Sequence, residues 1–233
     1  MIFITGDTHR NFSRIETFCK QFKTTVKDVM IILGDAGINN YGIEEDRKLK
    51  QTLCLLPLTL FCIHGNHEQR AQIIAGYAET IWHGGTVFIE PEYPNLLFAK
   101  DGEIFNFDDR KCIVIGGAYS VDKFFRLTHN LNWWEDEQPS DEIKVRVEKR
   151  LEKESWRVDV VLSHTCPLEY EPTEVFLPGI SQSTVDKSTE QWLDTIEKRL
   201  QYDEWYCGHY HTSKRMDKLY LCTRTSVHLN FKL

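Results

Sequence analysis

Five short polar clusters in the sequence combine Asp, His and Asn residues in a way that suits metal binding. Each follows a run of apolar residues, and the clusters are Gly6-Asp7-Thr8-His9, Gly34-Asp35, Gly65-Asn66-His67-Glu68, Ser163-His164 and Gly208-His209-Tyr210-His211. Divalent ions of intermediate hardness prefer imidazole nitrogen combined with carboxylate or amide oxygen. The clusters supply this mixture without any thiolate, so the sequence predicts a site for divalent metal ions.

The spacing of the clusters suggests how two ions could be held. Asp7 and His9 are two residues apart at the end of an apolar run, where a turning backbone can aim both side chains at one point. Asp35 follows the next run, and its two carboxylate oxygens could bridge two ions. The neutral donors needed to complete two coordination spheres would come from Asn66, His164, His209 and His211. A lone histidine at a strand end more often has a structural role, so the prediction depends on the joint pattern.

Buried strands are the elements that the sequence provides to position these clusters. The apolar runs are continuous and rich in Val and Ile, which is typical of strands buried on both faces of a sheet. They cover residues 2–4, 29–33, 58–63, 158–162 and 205–207. Helical patterns at residues 13–22 and 44–56 separate the first three runs, which predicts a β-α-β-α-β unit with parallel strands. Ligands collect at the carboxyl ends of such strands.

The middle of the chain has a different pattern. Short strand-like runs at residues 86–90, 96–99, 103–107 and 111–116 are separated by Pro, Gly and Asp-Asp turn signals. This pattern indicates an antiparallel meander at which a second sheet begins. Helical periodicity returns at residues 140–153 and 189–200, and both helices are expected in an outer layer. Ser188 and Gln191 have the spacing of a capping box at the start of the last helix.

Composition and charge limit the class of protein. A length of 233 residues suits one α/β domain, so we expect residues 1–233 to form a single domain. A net charge of -7 without a long Lys/Arg run argues against a broad surface for duplex nucleic acid. Seven cysteines, none in a Cys-x-x-Cys pair, argue against a disulfide framework and a thiolate zinc site. The sequence has neither a signal-peptide core nor a long apolar stretch, so we expect a cytoplasmic protein with no membrane partner.

The ordered set of five motifs resembles the signature of the calcineurin-like metallophosphoesterases, whose motifs span nearly the full domain. The resemblance implies an α/β fold, a four-layer αββα sandwich of two mixed β-sheets flanked by helices. It implies that a first metal ion is held by Asp7, His9, Asp35 and His211, and a second by Asp35, Asn66, His164 and His209. His67 would be the histidine that does not bind metal and that steadies the transition state or protonates the leaving oxygen.

The reaction that the resemblance implies is hydrolysis of a phosphoester with two divalent ions. Mn, Fe, Ni or Zn would serve, and we favour Mn. Two ions about 3.5–4 Å apart lower the pKa of a shared water toward about 7 and present hydroxide for in-line attack on phosphorus. We expect a small or nucleotide-like phosphomonoester or phosphodiester as substrate. The ions carry roughly +4, and Asp7 with Asp35 about -2, so the site can attract phosphate within an acidic protein.

Two other functions stay open at this point. A nuclease acting on single-stranded nucleic acid ends would use the same ions, and the pair Trp133-Trp134 could stack a base. Nucleic acid would then be a partner only as substrate. A non-catalytic protein-binding scaffold of the same fold is disfavoured, because no expected ligand position is lost and His67 is present.

Three basic residues are candidates for contact with the substrate phosphate. Arg10 stands where the family often has Gly after the histidine of the first motif, and a solvent-facing Arg is the alternative. Lys123 and Arg126 lie in or just after a segment, residues 116–123, that resembles a stretch in small bacterial members of the family. A packed loop with ordinary ion pairs is the alternative for these two.

The remaining polar residues near the motifs are expected to have structural roles. Glu68 would cap a helix after Asn66 and His67 or orient a ligand from behind. The histidines outside the motifs are assigned no metal, and these are His64, His83, His129 and His228.

Overall fold

The computed structural model of the chain describes residues 1–223 and the short strand Val227–His228. The strands are β1 (Ile2–Thr5), β2 (Val29–Ile32), β3 (Thr59–Cys62), β4 (Ala78–Trp82), β5 (Gly85–Ile89), β6 (Leu96–Ala99), β7 (Ile104–Phe107), β8 (Arg110–Ile115), β9 (Val160–Ser163), β10 (Glu204–Cys207), β11 (Lys214–Met216), β12 (Leu219–Leu221) and β13 (Val227–His228). The α-helices are α1 (Ser13–Phe22), α2 (Ile43–Leu53), α3 (Lys123–Thr128), α4 (Asp141–Lys153) and α5 (Ser188–Glu197). Single 3₁₀ turns cover Ala71–Ile73, Leu168–Tyr170, Thr173–Val175 and Gln182–Thr184. Across residues 1–223, no helix combines the length and the apolar composition needed to cross a bilayer.

The strands pair into two mixed sheets. Among the described residues, the first sheet has the order β13-β1-β2-β3-β6-β5-β4, and the second has the order β11-β12-β10-β9-β8-β7. Strands β1, β2, β3 and β6 form consecutive parallel pairs, as do β8, β9, β10 and β12. The other pairs are antiparallel. The predicted α/β sandwich of two mixed sheets is confirmed.

The space between the two sheets is filled by apolar side chains from both. Ile4, Ile31 and Phe61 of the first sheet pack in one cluster with Val114 and Leu162 of the second. All five side chains are fully buried. Side chains alternate faces along a strand, so every second residue of a strand points into this space and its neighbours point outward.

The side chains on the outer face of each sheet pack against a layer of helices. Helix α1 packs on the first sheet through Ile15 and Phe18, which contact the cluster around Phe3. On the second sheet, the outer layer consists of α4 and α5, and their buried residues include Ile143, Val147, Leu151, Leu193 and Ile196. In α4 these residues recur every four positions, which places them on one helical face. The result is the predicted order of helix, sheet, sheet, helix.

The meander predicted for the middle of the chain is divided between the sheets. Strand β5 is antiparallel to both of its neighbours, β4 and β6, but the three strands extend the first sheet, because Leu60 of β3 pairs in parallel with Leu96 of β6. The second sheet begins only at β7. The second sheet thus begins within the predicted meander, at its third run, whereas the first two runs belong to the first sheet.

The helix starts show one further difference from the sequence analysis. The hydroxyl oxygen of Ser140 accepts a hydrogen bond from the backbone N–H of Ile143 and caps α4. The capping box predicted at Ser188 was wrong, because Lys187 occupies the N-cap position of α5 and makes no side-chain cap. The backbone N–H of Ser188 instead donates to the carboxylate of Asp186, two residues before it.

Candidate metal centre

The carboxyl ends of the parallel strands meet at one edge of the sandwich, and the five clusters lie there. Asp7, Asp35 and Asn66 follow β1, β2 and β3, which are neighbours in the first sheet. His164 and His209 follow β9 and β10, which are neighbours in the second. Parallel pairing within each sheet and face-to-face packing of the sheets therefore bring distant parts of the sequence together.

A first group of donors is formed by Asp7, His9 and His211. His211 Nε2 lies 3.0 Å from Asp7 Oδ2, and His9 Nε2 lies 2.8 Å from His211 Nε2. His9 and His211 are 202 residues apart in the sequence. One ligand atom from each of the three side chains lies within 4.8 Å of the others, a spacing that suits one metal ion.

The carboxylate of Asp7 has one oxygen bonded and the other directed at the histidines. Asp7 Oδ1 accepts a hydrogen bond of 2.9 Å from the backbone N–H of His209. Asp7 Oδ2 is buried and receives no hydrogen bond of good geometry within residues 1–223, although His211 Nε2 is close to it. A buried carboxylate oxygen in this state is costly unless a cation or a donor reaches it, which fits a metal ligand.

A second group of donors is formed by Asn66, His164 and His209. Asn66 Oδ1 lies 2.8 Å from His164 Nε2 and 3.1 Å from His209 Nδ1. The other nitrogen of His164 lies 2.7 Å from the backbone carbonyl oxygen of Leu33 and donates its hydrogen to it. His164 Nε2 therefore presents a lone pair in the neutral ring, as a metal ligand must.

Asp35 lies between the two groups. Asp35 Oδ1 is 3.7 Å from His164 Nε2 of the second group, and Asp35 Oδ2 is 3.9 Å from His9 Nδ1 of the first. The backbone N–H of His67 donates to Asp35 Oδ1 over 2.8 Å and fixes the carboxylate. The structure thus brings together all seven side chains that the sequence analysis named as ligands. Their binding of metal stays a prediction.

Close approach of the loops depends on glycines that precede the ligands. A Cβ atom on Gly34, whose φ is +91°, would overlap the ring of His164, and a Cβ on Gly208 would overlap the carboxylate of Asp7. The loops also hold non-glycine residues in the left-handed region, with φ of 44° at His9 and 48° at Asp35. Such conformations persist where the surrounding structure requires them, and they are common at binding sites.

The protonation states of the site suit cations. Burial opposes ionisation of Asp7, but the nearby imidazoles of His211 and His164 outweigh it and lower the pKa of Asp7. The pKa of Asp35 is lowered in the same way, since the nearby histidines outweigh the effect of burial. Burial lowers the pKa of His9 and brings the pKa of His209 to about 3. Ionised carboxylates and neutral imidazoles are the forms that bind metal.

A hydrogen bond to Ser120 holds the amide of Asn66 in place. Asn66 Nδ2 donates to Ser120 Oγ over 2.9 Å, and both residues are buried. Because an amide nitrogen can only donate, the Ser120 hydroxyl is the acceptor. This direction turns Asn66 Oδ1 toward the two histidines.

Glu68 links the loop that carries Asp35 to the loop that carries Asn66 through hydrogen bonds. Its carboxylate is buried and accepts hydrogen bonds from the backbone N–H of Gly65, at 3.0 Å, and of Gly37, at 3.1 Å. Burial and the nearby charge of Asp35 raise the pKa of Glu68 to about 8. The expected helix cap was wrong, because the next helical residues of the described chain are the single turn Ala71–Ile73. Glu68 instead holds the Asp35 and Asn66 loops from behind.

His67 is oriented toward the space between the two groups of donors. His67 Nε2 lies 3.9 Å from Asp35 Oδ2, and the two rings of His9 and His67 have centroids 5.6 Å apart. His67 Nδ1 is buried without a hydrogen-bond partner among residues 1–223. The imidazole therefore stands beside the proposed ions without being one of their expected ligands.

Arg10, a candidate for phosphate contact, is bonded to α2. Its guanidinium lies 3.2 Å from the carboxylate of Asp46 and donates to the backbone carbonyl of Glu45 over 2.9 Å. It also lies over the ring of Tyr41, 4.7 Å from the ring centroid. Contact between Arg10 and a substrate stays a prediction. It would require the guanidinium to bind the phosphate while it keeps its contacts with Asp46, Glu45 and Tyr41.

Lys123 and Arg126 are likewise engaged with protein groups. Lys123 Nζ lies over the ring of Trp133, 4.1 Å from its centroid. Arg126 Nε donates to the carboxylate of Asp122 over 2.8 Å, and Arg126 Nη1 donates to the backbone carbonyl of Asn132. Phosphate contact by these two residues stays a prediction.

The histidines outside the motifs have surroundings of their own. His64 is buried next to Gly116, and burial lowers its pKa. His83 lies 2.9 Å from the backbone carbonyl of Asn106, and His129 bonds within its own helical turn. None of these three belongs to the donor groups above. The side chain of His228 lies outside the described residues.

A cavity of about 410 Å³ opens beside the two groups of donors. Its floor contains Asp35, Asn66, His67, His209 and His211, and its apolar wall contains Tyr119, Val121, Val175, Phe176, Leu177, Ile180, Val185 and Tyr210. Neither Trp133 nor Trp134 is among its lining residues. The wall from residues 175–185 was not predicted from the sequence. Its one signal was a group of apolar residues in an irregular segment between the second sheet's central strands.

Comparison with known proteins points to one family. A family model for calcineurin-like phosphoesterase matches residues 1–213 of the chain. The fold is similar to that of the crystal structure of TT1561 from Thermus thermophilus, with a TM-score of 0.52 and 12% sequence identity. That similarity covers 95% of this chain and 87% of the other, and at this identity it concerns the fold alone. Comparison with curated proteins found no match.

Proposed function

The chain belongs to the calcineurin-like phosphoesterases, a family of metal-dependent phosphoesterases, and from this premise we propose that it hydrolyses phosphoesters at a pair of divalent metal ions. The observation that supports a pair of ions is the position of Asp35. One carboxylate oxygen faces His164 and the other faces His9, and each histidine belongs to a different group of donors. A carboxylate shared in this way suits a bridge between two cations better than a single site.

Each proposed ion has a mixed set of ligands. Asp7, His9, Asp35 and His211 would hold the first ion, and Asp35, Asn66, His164 and His209 would hold the second. Sets of imidazole nitrogen with carboxylate and amide oxygen suit Mn, Fe, Ni or Zn, and we favour Mn. When bound, two such ions supply neutralisation of the phosphate charge and a hydroxide nucleophile near neutral pH.

The side chains around the proposed ions have separate tasks. The hydrogen bond from the His67 backbone holds Asp35, and the Ser120 hydroxyl holds the Asn66 amide, so these ligands are positioned before any ion arrives. His67 Nε2 faces the same space as Asp35 Oδ2, and we assign it the proton that passes to the leaving oxygen of the ester. General acid help of this kind contributes about 10² to 10⁴ in rate.

The charge of the site agrees with an anionic substrate. Two dications carry a charge of roughly +4, and the ionised Asp7 and Asp35 contribute about -2, so the loaded site is locally positive. The chain as a whole has a formal net charge of -7. The attraction for phosphate is therefore confined to the site.

The other two functions suggested by the sequence receive less support. Neither Trp133 nor Trp134, the pair suggested to stack a nucleic acid base, lines the cavity. A non-catalytic scaffold would have no need for seven converging donors. A small or nucleotide-like phosphomonoester or phosphodiester is the substrate class that we propose.

The proposal is tested by hydrolysis of two chromogenic esters, p-nitrophenyl phosphate and bis(p-nitrophenyl) phosphate. The purified protein is stripped with a chelator and reloaded separately with Mn²⁺, Ni²⁺, Fe²⁺ or Zn²⁺, and bound metal is counted by elemental analysis. We expect two ions per chain and metal-dependent turnover of at least one ester. A folded, metal-loaded protein that hydrolyses neither ester with any of the four ions would contradict the proposal.

A further inference from the structure

The cavity beside the candidate metal centre has a wall that the phosphate chemistry does not use. The wall comes from residues 173–185, which hold two 3₁₀ turns, and from the loop that carries Tyr119 and Val121. Val121, Val175 and Leu177 line this wall and are all exposed, so the wall presents an apolar patch rather than a single exposed side chain. Exposed apolar residues that line a cavity next to a reactive site suit an apolar group of the substrate.

Aromatic rings close the wall on the side of the proposed ligands. Tyr210 lies between His209 and His211 in the sequence, and its ring stacks against Phe176 with centroids 6.3 Å apart. The Tyr210 hydroxyl lies 3.1 Å from the hydroxyl of Thr165, the residue after His164. The wall is therefore continuous with the loops that carry the proposed ligands, and a group bound on it would be a short distance from the phosphate.

One acceptor at the edge of this wall lacks a partner. Glu190 lines the cavity and is 4% exposed. Its Oε1 accepts a hydrogen bond of 2.8 Å from Thr165 Oγ1, whereas its Oε2 is buried with no hydrogen-bond partner among residues 1–223. A buried carboxylate oxygen without a donor costs free energy, and a donor on a bound molecule would remove that cost.

The charge of the cavity argues against a second phosphate as the occupant. No Lys or Arg is among the residues that line the cavity within the described part of the chain. Lys187 Nζ lies over the Phe176 ring, 4.9 Å from its centroid, but it is already paired over 2.6 Å with Glu171, a carboxylate of the cavity lining. Besides Glu190, the lining includes the carboxylates of Asp122 and Asp186. An additional anion would therefore meet acidic groups, whereas an uncharged aromatic group would meet apolar ones.

We propose that the cavity beside the candidate metal centre forms a chamber for the organic part of the phosphoester. This part contains a flat apolar ring system with an N–H group, and Glu190 accepts a hydrogen bond from that N–H. A phosphoester of a nucleoside-like alcohol has this chemistry. The inference rests on the proposed function, because the metal centre must hold the phosphate while the chamber holds the ring. The volume of about 410 Å³ suits a group of that size.

The test compares ligands that differ only in the group placed in the chamber. AMP and ribose 5-phosphate carry the same phosphate on the same sugar hydroxyl, and only AMP has a base. Isothermal titration into the Mn²⁺-loaded protein measures the affinity of each, with inorganic phosphate as the reference for the metal centre alone. We expect AMP to bind at least about tenfold more tightly than ribose 5-phosphate, because stacking of a base contributes at this level.

Two variants locate the effect. Phe176→Ala should remove most of the preference for AMP and leave the affinity for inorganic phosphate unchanged, and Phe125→Ala, at an exposed aromatic residue outside the cavity lining, is its control. Glu190→Gln should reduce the preference for AMP over purine riboside 5′-monophosphate, which lacks the amino group. Glu152→Gln, on the exposed surface of α4, is the control for loss of a carboxylate.

The outcomes separate this inference from the proposed function. In one outcome, AMP and ribose 5-phosphate bind with equal affinity, and both more tightly than to the metal-free protein. That result would overturn the assignment of the chamber, and the proposal of the metal centre would still hold. Preference for AMP that survives in Phe176→Ala would also overturn it. If inorganic phosphate does not bind to the metal-loaded protein at all, the proposed function fails first, and the assignment of the chamber fails with it.

Discussion

His164 Nε2 faces Asn66 Oδ1 across 2.8 Å, and in the neutral form of His164 neither atom can donate to the other. The backbone carbonyl of Leu33 fixes the tautomer, since it accepts from His164 Nδ1 and leaves a lone pair on Nε2. The amide oxygen of Asn66 adds a second lone pair at the same point. Two lone pairs in contact repel each other unless a proton or a cation lies between or beside them, which is why this pair suits a metal ion.

Replacement of Asp35 by Asn tests the bridge between the proposed ions. Asn tolerates the positive φ of 48° at this position, and its side-chain oxygen can still accept from the His67 backbone, so the fold should persist. The negative charge and one of the two metal-facing oxygens are lost. We expect fewer than two bound ions per chain and a fall in kcat/KM of about 10²–10³ or more. Metal content and ester hydrolysis are measured on the same sample.

A matched control for Asp35→Asn is Asp159→Asn. Asp159 also accepts a hydrogen bond from a backbone N–H, that of Lys111, but it belongs to neither donor group. The Asp159→Asn variant should retain two bound ions and wild-type turnover. Wild-type activity in Asp35→Asn would remove the proposed mechanism even though the fold is right.

Replacement of His67 by Asn tests the proton donor. The expected result is a fall in kcat of about 10² to 10⁴ with unchanged metal content, because His67 is not among the proposed ligands. The loss should be smaller for p-nitrophenyl phosphate than for phenyl phosphate, since p-nitrophenolate leaves without protonation. His83→Asn is the control, because the His83 ring is bonded to the backbone carbonyl of Asn106 and is not among the proposed ligands. Equal losses for both esters would argue that His67 binds the phosphate rather than protonating the leaving group.

Ser120 is a residue that the sequence analysis did not single out, and its removal tests how Asn66 is positioned. Ser120→Ala leaves the Asn66 amide without its acceptor. Groups that orient metal ligands typically change metal affinity by about 10–100-fold. We expect weaker binding of one of the two ions and recovery of kcat at high Mn²⁺ concentration. Ser181→Ala, at an exposed serine, controls for the substitution, and an unchanged metal affinity in Ser120→Ala would contradict the assignment.

The parts of the fold that were predictable from sequence are those with a local signal. Strands such as β2 and β9 are continuous apolar runs because both of their faces are covered, and the polar residues that end them stand out against those runs. β4 had no such signal. It is an edge strand whose residues are mostly exposed, so its sequence carries neither an apolar run nor a clean alternation.

The parts that were not predictable depend on contacts between distant residues. Nothing local in the sequence of β6 indicates that it pairs in parallel with β3 rather than opening a second sheet. The same holds for the bonds from Arg10 to Asp46 and from Ser120 to Asn66, which join separate loops. The ligand positions could be named only because several motifs occur together in a family order. The wall around Phe176 lies in irregular backbone, where apolar residues have no period that would indicate their direction.

The pH dependence of stability in the metal-free protein provides a test of the buried state of His209. Burial lowers the pKa of His209 from 6.5 to about 3 in the folded chain. Between these values the unfolded chain binds a proton at this residue and the folded chain does not, so the contribution of His209 to stability falls as the pH falls. Glu68 and Glu190, whose pKa values are raised, act in the opposite direction, and they are present in both proteins when wild type is compared with His209→Asn.

The free energy of unfolding of wild type relative to His209→Asn should therefore decrease from pH 6.5 toward pH 4, by at most roughly 1.4 kcal/mol per pH unit, and should be level above about pH 7. Urea unfolding at a series of pH values, with a chelator present throughout, gives this difference, and His129→Asn at an exposed position controls for loss of a histidine. A difference that stays constant between pH 4 and pH 7 would show that His209 takes up its proton in the folded chain as readily as in the unfolded one, and the assignment of a neutral, metal-ready imidazole would then be wrong.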